Sequence, residues 1–270
     1  MNVPVFILAR DRMSVRHVVE WFEKAEGVER IVVCDHGTTY PPCIAYYESI
    51  QSTHQILTAQ VERPYDCFIP GLRALMNNQG RFMVVDCDML FDGCPTDLIP
   101  HCLEALDKHD DVLKCGPGIR VDDLPPCHPC LKHVMETELQ WWVKPLSVEP
   151  FWFEANLDTT CALHDTERSI SRKFGRFLRS DFPYVIRHLT WYIDPSNPPE
   201  DERYYYEHAE RRGWHTHMLE QHEVLPQWDV PWWMGLRDLK RYAHLIEITS
   251  KHYGYEWNHE GIRNAKWVVE

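Results

Sequence analysis

The residues best placed to do chemistry are two aspartates one position apart, in Phe82-Met83-Val84-Val85-Asp86-Cys87-Asp88. The four apolar residues before them read as a short buried strand. Aspartate is disfavoured within strands and costly to bury unpaired. A pair delivered beyond a strand end therefore needs a partner, and a hard divalent cation that takes carboxylate oxygens is the commonest one. The competing reading is an aspartate pair that caps the turn before Gly93 and Pro95.

Other charged groups stand at the ends of other apolar runs. Val3–Ala9 reads as a strand buried on both faces and is followed by Arg10-Asp11-Arg12. Arg30–Cys34 reads as a second strand and is followed by Asp35-His36-Gly37-Thr38-Thr39-Tyr40-Pro41-Pro42, a polar turn. Between them, Ser14 is an N-cap for a helix over about Val15–Ala25, with Val18, Val19, Trp21 and Phe22 inward and Gly27 ending it. A helix over about Cys43–Ser49, a strand at Ile56–Ala59 and helical spacing over Tyr65–Met76 follow. After the Phe82–Val85 strand, Pro95-Thr96-Asp97 opens a helix to about Lys108, with Leu98, Cys102 and Leu106 inward. Val112–Cys115 is a further strand. This alternation specifies an α/β doubly wound layer, in which ligands bind outside the carboxyl ends of the strands. Arg10, Asp11, Arg12, Asp35, Asp86 and Asp88 would all fall along that edge.

The second half changes character. Asp122-Asp123-Leu124-Pro125-Pro126 begins a Pro-rich loop, and Val134–Val143 is a candidate helix whose Glu136 and Glu138 are expected to be solvated. Phe151–His164 reads as one or two strands, and Asp158 within it is a charge in a strand-like run. Pro198-Pro199-Glu200-Asp201-Glu202 reads as a helix start with acidic residues in its first turn. Leu236–Ser250 is the clearest later helix. The simplest organisation is one compact domain over residues 1–194, with halves of about 1–120 and 121–194. A helical C-terminal extension, 195–270, packs on it.

Composition narrows the function. The formal charge of −13 over 270 residues, without a long Lys/Arg run, argues against gripping a phosphate backbone as the main task. Val3–Ala9 is too short to span a membrane and lacks a cleavage pattern, so a cytoplasmic protein without a transmembrane segment is expected. The ten cysteines are scattered and expected to be free thiols. Cys127, Cys130 and His133 have zinc-like spacing without a second ligand pair. Eleven tryptophans and twelve tyrosines, concentrated after residue 140, serve packing or stacking on a sugar or base.

Five segments together resemble a glycosyltransferase of the GT-A fold, of the family-2-like group with bacterial and phage members. They are Ala9-Arg10-Asp11-Arg12; the turn from Val33 to Pro42, similar to a D-x-G-S/T-T turn; Asp86-Cys87-Asp88 in the place of a D-x-D motif; and the later blocks Leu157–Leu163 and Arg187–Tyr192. The resemblance spans roughly residues 3–194. It implies a Rossmann-like, doubly wound mixed sheet flanked by helices. It also implies a hexosyltransferase that moves a sugar from a nucleoside diphosphate sugar, UDP-linked by preference, to a hydroxyl acceptor with Mn2+ or Mg2+. Asp88 would be the more direct metal ligand and Asp86 would contact ribose or metal. Asp35 would accept a hydrogen bond from the base. Arg10, Asp11, Arg12, Thr38 and Thr39 would line the donor. His188 would complete the metal shell or act as base, and Asp158 is the first candidate for the base. A glycan or glycoconjugate is the expected acceptor, with hydroxymethylated pyrimidines in DNA as the alternative. The family's E-D pair and Q-x-x-R-W block are not evident here.

Two rivals remain open. A nucleotidyltransferase would share the sheet and the aspartates but usually carries a Gly-rich loop after the first strand, which Arg10–Ser14 lacks. A nucleotide-sugar-binding scaffold would bind without turnover.

Overall fold

The computed structural model describes residues 1–58, 80–121, 123–124, 134, 138, 141, 152–157, 161–171, 175–194 and 197–208. Its centre is β1 (Val3–Ala9), apolar throughout and buried throughout. Helix α1 (Val15–Phe22) returns the chain to β2 (Val28–Asp35), and α2 (Pro41–Ile50) to β3 (Gln55–Thr58). Helix α2 starts two residues earlier than its apolar spacing predicts. Proline is tolerated in a first helical turn because its missing N–H would be unpaired there anyway. Next come β4 (Arg81–Asp86), the short β5 (Met89–Leu90), α3 (Leu98–Lys108), β6 (Val112–Gly116) and β7 (Gly118–Ile119). Then follow β8 (Trp152–Glu154), β9 (Cys161–Asp165), α4 (Thr166–Ser171), β10 (Arg176–Ser180), β11 (Val185–His188) and α5 (Glu200–His208).

Eight strands form one sheet in the order β3-β2-β1-β4-β9-β6-β10-β8. The first four run parallel. Strand β9 runs antiparallel between β4 and β6, so the sheet is mixed, as expected. Strand side chains alternate between faces. Val5, Ile7, Val33, Met83 and Val85 enter the larger apolar cluster with α1, α2 and α3. Phe6, Leu8, Val32, Cys34, Phe82 and Val84 form a second cluster. Leu98, Cys102 and Leu106 are fully buried, as their helical spacing predicts. Each such large apolar side chain contributes roughly 1.5–3 kcal/mol.

Some elements escape a reading from periodicity. The Phe151–His164 run holds two strands that end up apart, β8 at a sheet edge and β9 near its middle. Helix α4 and strand β10 carry no clear apolar period. Arg168 anchors α4 instead, donating through Nη1 to the carbonyls of Leu106, His109 and Val112, and β10 is held by its parallel ladder with β6. Val134 and Glu138 are helical, but Glu138 is buried against the Arg179 guanidinium rather than solvated. Seven described cysteines are buried free thiols. Among the described residues, no helix is long and apolar enough to cross a membrane. Of the C-terminal extension, α5 is described. The Tyr65–Met76 and Leu236–Ser250 segments lie outside the described residues, as do Asp158, Glu136, Cys127, Cys130 and His133.

Candidate functional site

Three loops meet at the carboxyl edge of the parallel strands. Register places them: Ala9 pairs with Asp35 and Leu8 with Asp86. The ladder runs one residue further on each side, with His36 donating to Ala9 O and Cys87 donating to Leu8 O.

The loop after β1 turns at Asp11, which has φ 54 and no exposed surface. Aspartate tolerates this left-handed conformation better than bulkier residues. Its Oδ1 accepts the amides of Thr39 (2.6 Å) and Tyr40 (2.8 Å), and its own amide donates to Thr38 Oγ1 (3.1 Å). Tyr40 is the N-cap of α2 and has no side-chain cap of its own, so Asp11 supplies the cap from another loop. Arg10 is partly exposed, with Nε 3.5 Å from Asp11 Oδ2.

The loop after β2 is closed by Asp35, whose Oδ1 accepts the amides of Gly37 (3.2 Å) and Thr38 (2.8 Å). Gly37 has φ 103, which favours glycine. Asp35, Thr38 and Thr39 therefore form one network with Asp11.

The loop after β4 carries Asp86, half-buried at the strand end, and Asp88, buried. A second, small sheet in the order β5-β11-β7 finishes the site. In it His188 pairs with Met89, and the Asp88 carbonyl accepts the Leu189 amide at 2.8 Å. This brings His188 Nδ1 to 3.9 Å from Asp88 Oδ2. The His188 ring stacks on Trp191 at 4.7 Å, and its Nδ1 is 2.7 Å from Thr190 Oγ1.

Arg12 stands between Asp88 and helix α5. Its Nη1 donates to Asp88 Oδ2 at 2.5 Å, its Nε lies 3.0 Å from Glu202 Oε1, and its guanidinium is 4.0 Å over the Tyr205 ring. All three charged side chains are at most 7% exposed. Burial works to lower the Arg12 pKa, but Glu202 and then Asp88 outweigh it, and the result lies well above the ordinary value. Burial pushes the Glu202 carboxyl up, with Arg12 opposing. Among the described residues, Arg12 Nε and Nη2 and both Glu202 carboxylate oxygens are buried without a partner at hydrogen-bonding geometry, so Arg12 and Glu202 meet as an ion pair.

The donor set fits a hard divalent cation. A carboxylate oxygen and an imidazole nitrogen 3.9 Å apart can share one ion once Asp88 Oδ2 gives up Arg12 and His188 Nδ1 gives up Thr190 Oγ1. No group of three or more His, Cys, Asp or Glu suited to a metal occurs among the described residues. Mg2+ and Mn2+ sites often use one or two protein carboxylates and complete the shell with substrate phosphates and water.

The structure thus brings together Arg10, Asp11, Arg12, Asp35, Thr38, Thr39, Asp86, Asp88 and His188. Periodicity missed Glu202 and Tyr205, because the acidic start of α5 reads as a solvated first turn. The only signal was the aromatic run Tyr204-Tyr205-Tyr206, which a solvated helix has no use for.

No protein-family model matches the chain, and no curated protein matches it. Solved structures do. Glucosyl-3-phosphoglycerate synthase from Mycobacterium tuberculosis, in complex with Mn2+, UDP and phosphoglyceric acid, is similar at 16% identity and TM-score 0.36, over 62% of this chain and 56% of that chain. The 4-diphosphocytidyl-2C-methyl-D-erythritol synthase from Anaerococcus prevotii is similar at 9% identity and TM-score 0.39, over 68% and 89%. CMP:2-keto-3-deoxy-manno-octonic acid synthetase in complex with CTP is similar at 10% identity and TM-score 0.35, over 67% and 72%. All three TM-scores lie below 0.5.

Proposed function

We propose that the chain is a divalent-cation-dependent glycosyltransferase that takes a nucleoside diphosphate sugar, UDP-linked by preference, and moves its sugar to a hydroxyl acceptor. The observation that carries this reading is the meeting of Asp88 and His188 beside Arg12, at the carboxyl edge where Asp35 and Arg10 also stand. A cation-binding pair beside two guanidinium groups suits a diphosphate, and a neighbouring carboxylate suits a base edge.

A bound Mn2+ or Mg2+ would neutralise the charge that develops on the leaving diphosphate. Asp88 and His188 would hold it, with Asp86 on the ribose or the metal. Arg12 and Arg10 would face the phosphates. Asp35, with Oδ1 committed to its own turn, would read the base through its second oxygen. Thr38, Thr39 and Asp11 would keep that loop in place. Asp158 is the proposed base for the acceptor hydroxyl, and a glycan the proposed acceptor.

A panel of nucleotide sugars, scored for released nucleotide with and without Mn2+, tests the reading. Metal-dependent release of UDP is expected. Pyrophosphate release from a nucleoside triphosphate and a sugar phosphate, without nucleotide release from any sugar donor, would instead assign nucleotidyl transfer. UDP binding without turnover on any donor would make the chain a scaffold.

A further inference from the structure

The helix α5 sits on the loops that form the proposed donor site. Asp201 Oδ2 accepts the Met13 amide at 2.8 Å, and the Tyr204 hydroxyl donates to Thr39 Oγ1 at 3.2 Å. The Tyr204 ring lies 4.8 Å from the Tyr40 ring. These contacts fix α5 against the loops after β1 and β2, so the side chain between Asp201 and Arg203 is delivered inward. That side chain is Glu202, buried at 1% exposure.

Asp88, Arg12 and Glu202 then form a buried row of alternating charge. The oxygen of Asp88 that Arg12 holds is Oδ2, the same oxygen that faces His188. A divalent cation between Asp88 and His188 therefore competes with Arg12 for Asp88 Oδ2, and with the Thr190 hydroxyl for His188 Nδ1. A buried guanidinium displaced from its carboxylate is strongly unfavourable unless a second carboxylate receives it. Glu202 stands on the other edge of the same guanidinium, at Nε, and Tyr205 covers its face.

We propose that Glu202 is a positioning residue of the cation site: by holding Arg12 it lets Asp88 exchange a guanidinium for a divalent cation. This rests on the reading of Asp88 and His188 as cation ligands. In the exchanged state Arg12 stays on Glu202 and turns its Nη1 and Nη2 donors to the phosphate oxygens of the donor, so one residue serves as stand-in for the cation before binding and as anion partner after it. Helix α5 becomes part of the proposed donor site rather than an appendage to it.

The test is Mn2+ binding by the full chain without nucleotide, followed by the electron paramagnetic resonance signal of free Mn2+, with thermal melting as the check on folding. Glu202→Gln keeps shape and removes charge. It should weaken Mn2+ binding by about tenfold in the wild-type background, because Arg12 is left with Asp88 as its only carboxylate partner. In an Arg12→Met background the same change should alter binding by less than about twofold, as expected for a residue that acts through its neighbour. Should Arg12→Met melt early, Arg12→Lys serves: it keeps the charge without the two-edged fork, and the effect of Glu202→Gln should shrink there too. Equal weakening in every background would mean a simple field effect of one charge and would overturn the proposal. An unchanged Mn2+ affinity in Glu202→Gln would overturn it as well, while leaving the cation site standing. A wild-type chain that binds no Mn2+ would remove both.

Discussion

Asp88 meets several demands with one side chain and one peptide unit. Its carbonyl receives the Leu189 amide, its Oδ2 receives Arg12, and the same oxygen faces His188. Asn at this position keeps the backbone bond and the shape but cannot offer an anionic oxygen. Asp88→Asn should therefore lower Mn2+-dependent nucleotide release by on the order of 100-fold or more, since a metal-stabilised leaving group is worth several kcal/mol. Far-ultraviolet circular dichroism should stay that of wild type, because Arg12 keeps Glu202. Asp86→Asn should act in the same direction to a similar or smaller degree. Wild-type rates in both variants at saturating donor would refute the proposed site. Asp11 differs in kind: its Oδ1 caps α2, so its replacement should loosen the loop from Thr38 to Tyr40 before it affects any phosphate.

Among the elements, β9 decides the architecture. It enters antiparallel between β4 and β6 and lies against β6 where the neighbour is glycine. A Cβ at Gly116 would run into the Cys161 carbonyl oxygen, which is backbone and cannot swing aside. Gly116→Ala should thus cost about 3 kcal/mol, the upper end for overpacking, read as a lower denaturation midpoint. A variant as stable as wild type would mean that β6 and β9 separate more easily than this contact implies. The short strands β5 and β11 matter for a different reason. Two residues of pairing, Arg187 with Leu90 and His188 with Met89, set where His188 stands relative to Asp88.

For the whole molecule, a buried carboxyl far along the chain predicts a pH response. Asp181 is 2% exposed, its Oδ1 accepts the Phe182 amide at 2.7 Å, and burial raises its pKa from 3.8 to about 7. The folded state then holds this proton more tightly than the unfolded chain. The protonated carboxyl costs nothing extra below pH 3.8, and stability is lost as pH rises from there to about 7. The full penalty above that window is about 4 kcal/mol by linkage. Asp181→Asn should remove it. The variant should melt higher than wild type at pH 8, and the gap should close as pH falls toward 4. A constant gap across that range would exclude the assignment.

The chain's own order of apolar runs was enough to read β1, β2, β4, β6, α1 and α3, because burial on both sheet faces or along one helix face writes a local period into the residues. The charged groups at those strand ends were legible for the same reason, and so was their alignment along one edge, which follows from parallel strands. Other features depended on contacts distant in sequence. The insertion of β9 between β4 and β6 is one, since pairing partners as far apart in sequence as Arg81 and Asp165 leave no local period. The capping of α2 by Asp11 is another, and so is the approach of His188 to Asp88 through the small sheet. The placement of Glu202 against Arg12 was the least legible. An acidic first turn looks the same in sequence whether it faces water or a buried guanidinium, and only tertiary packing decides which.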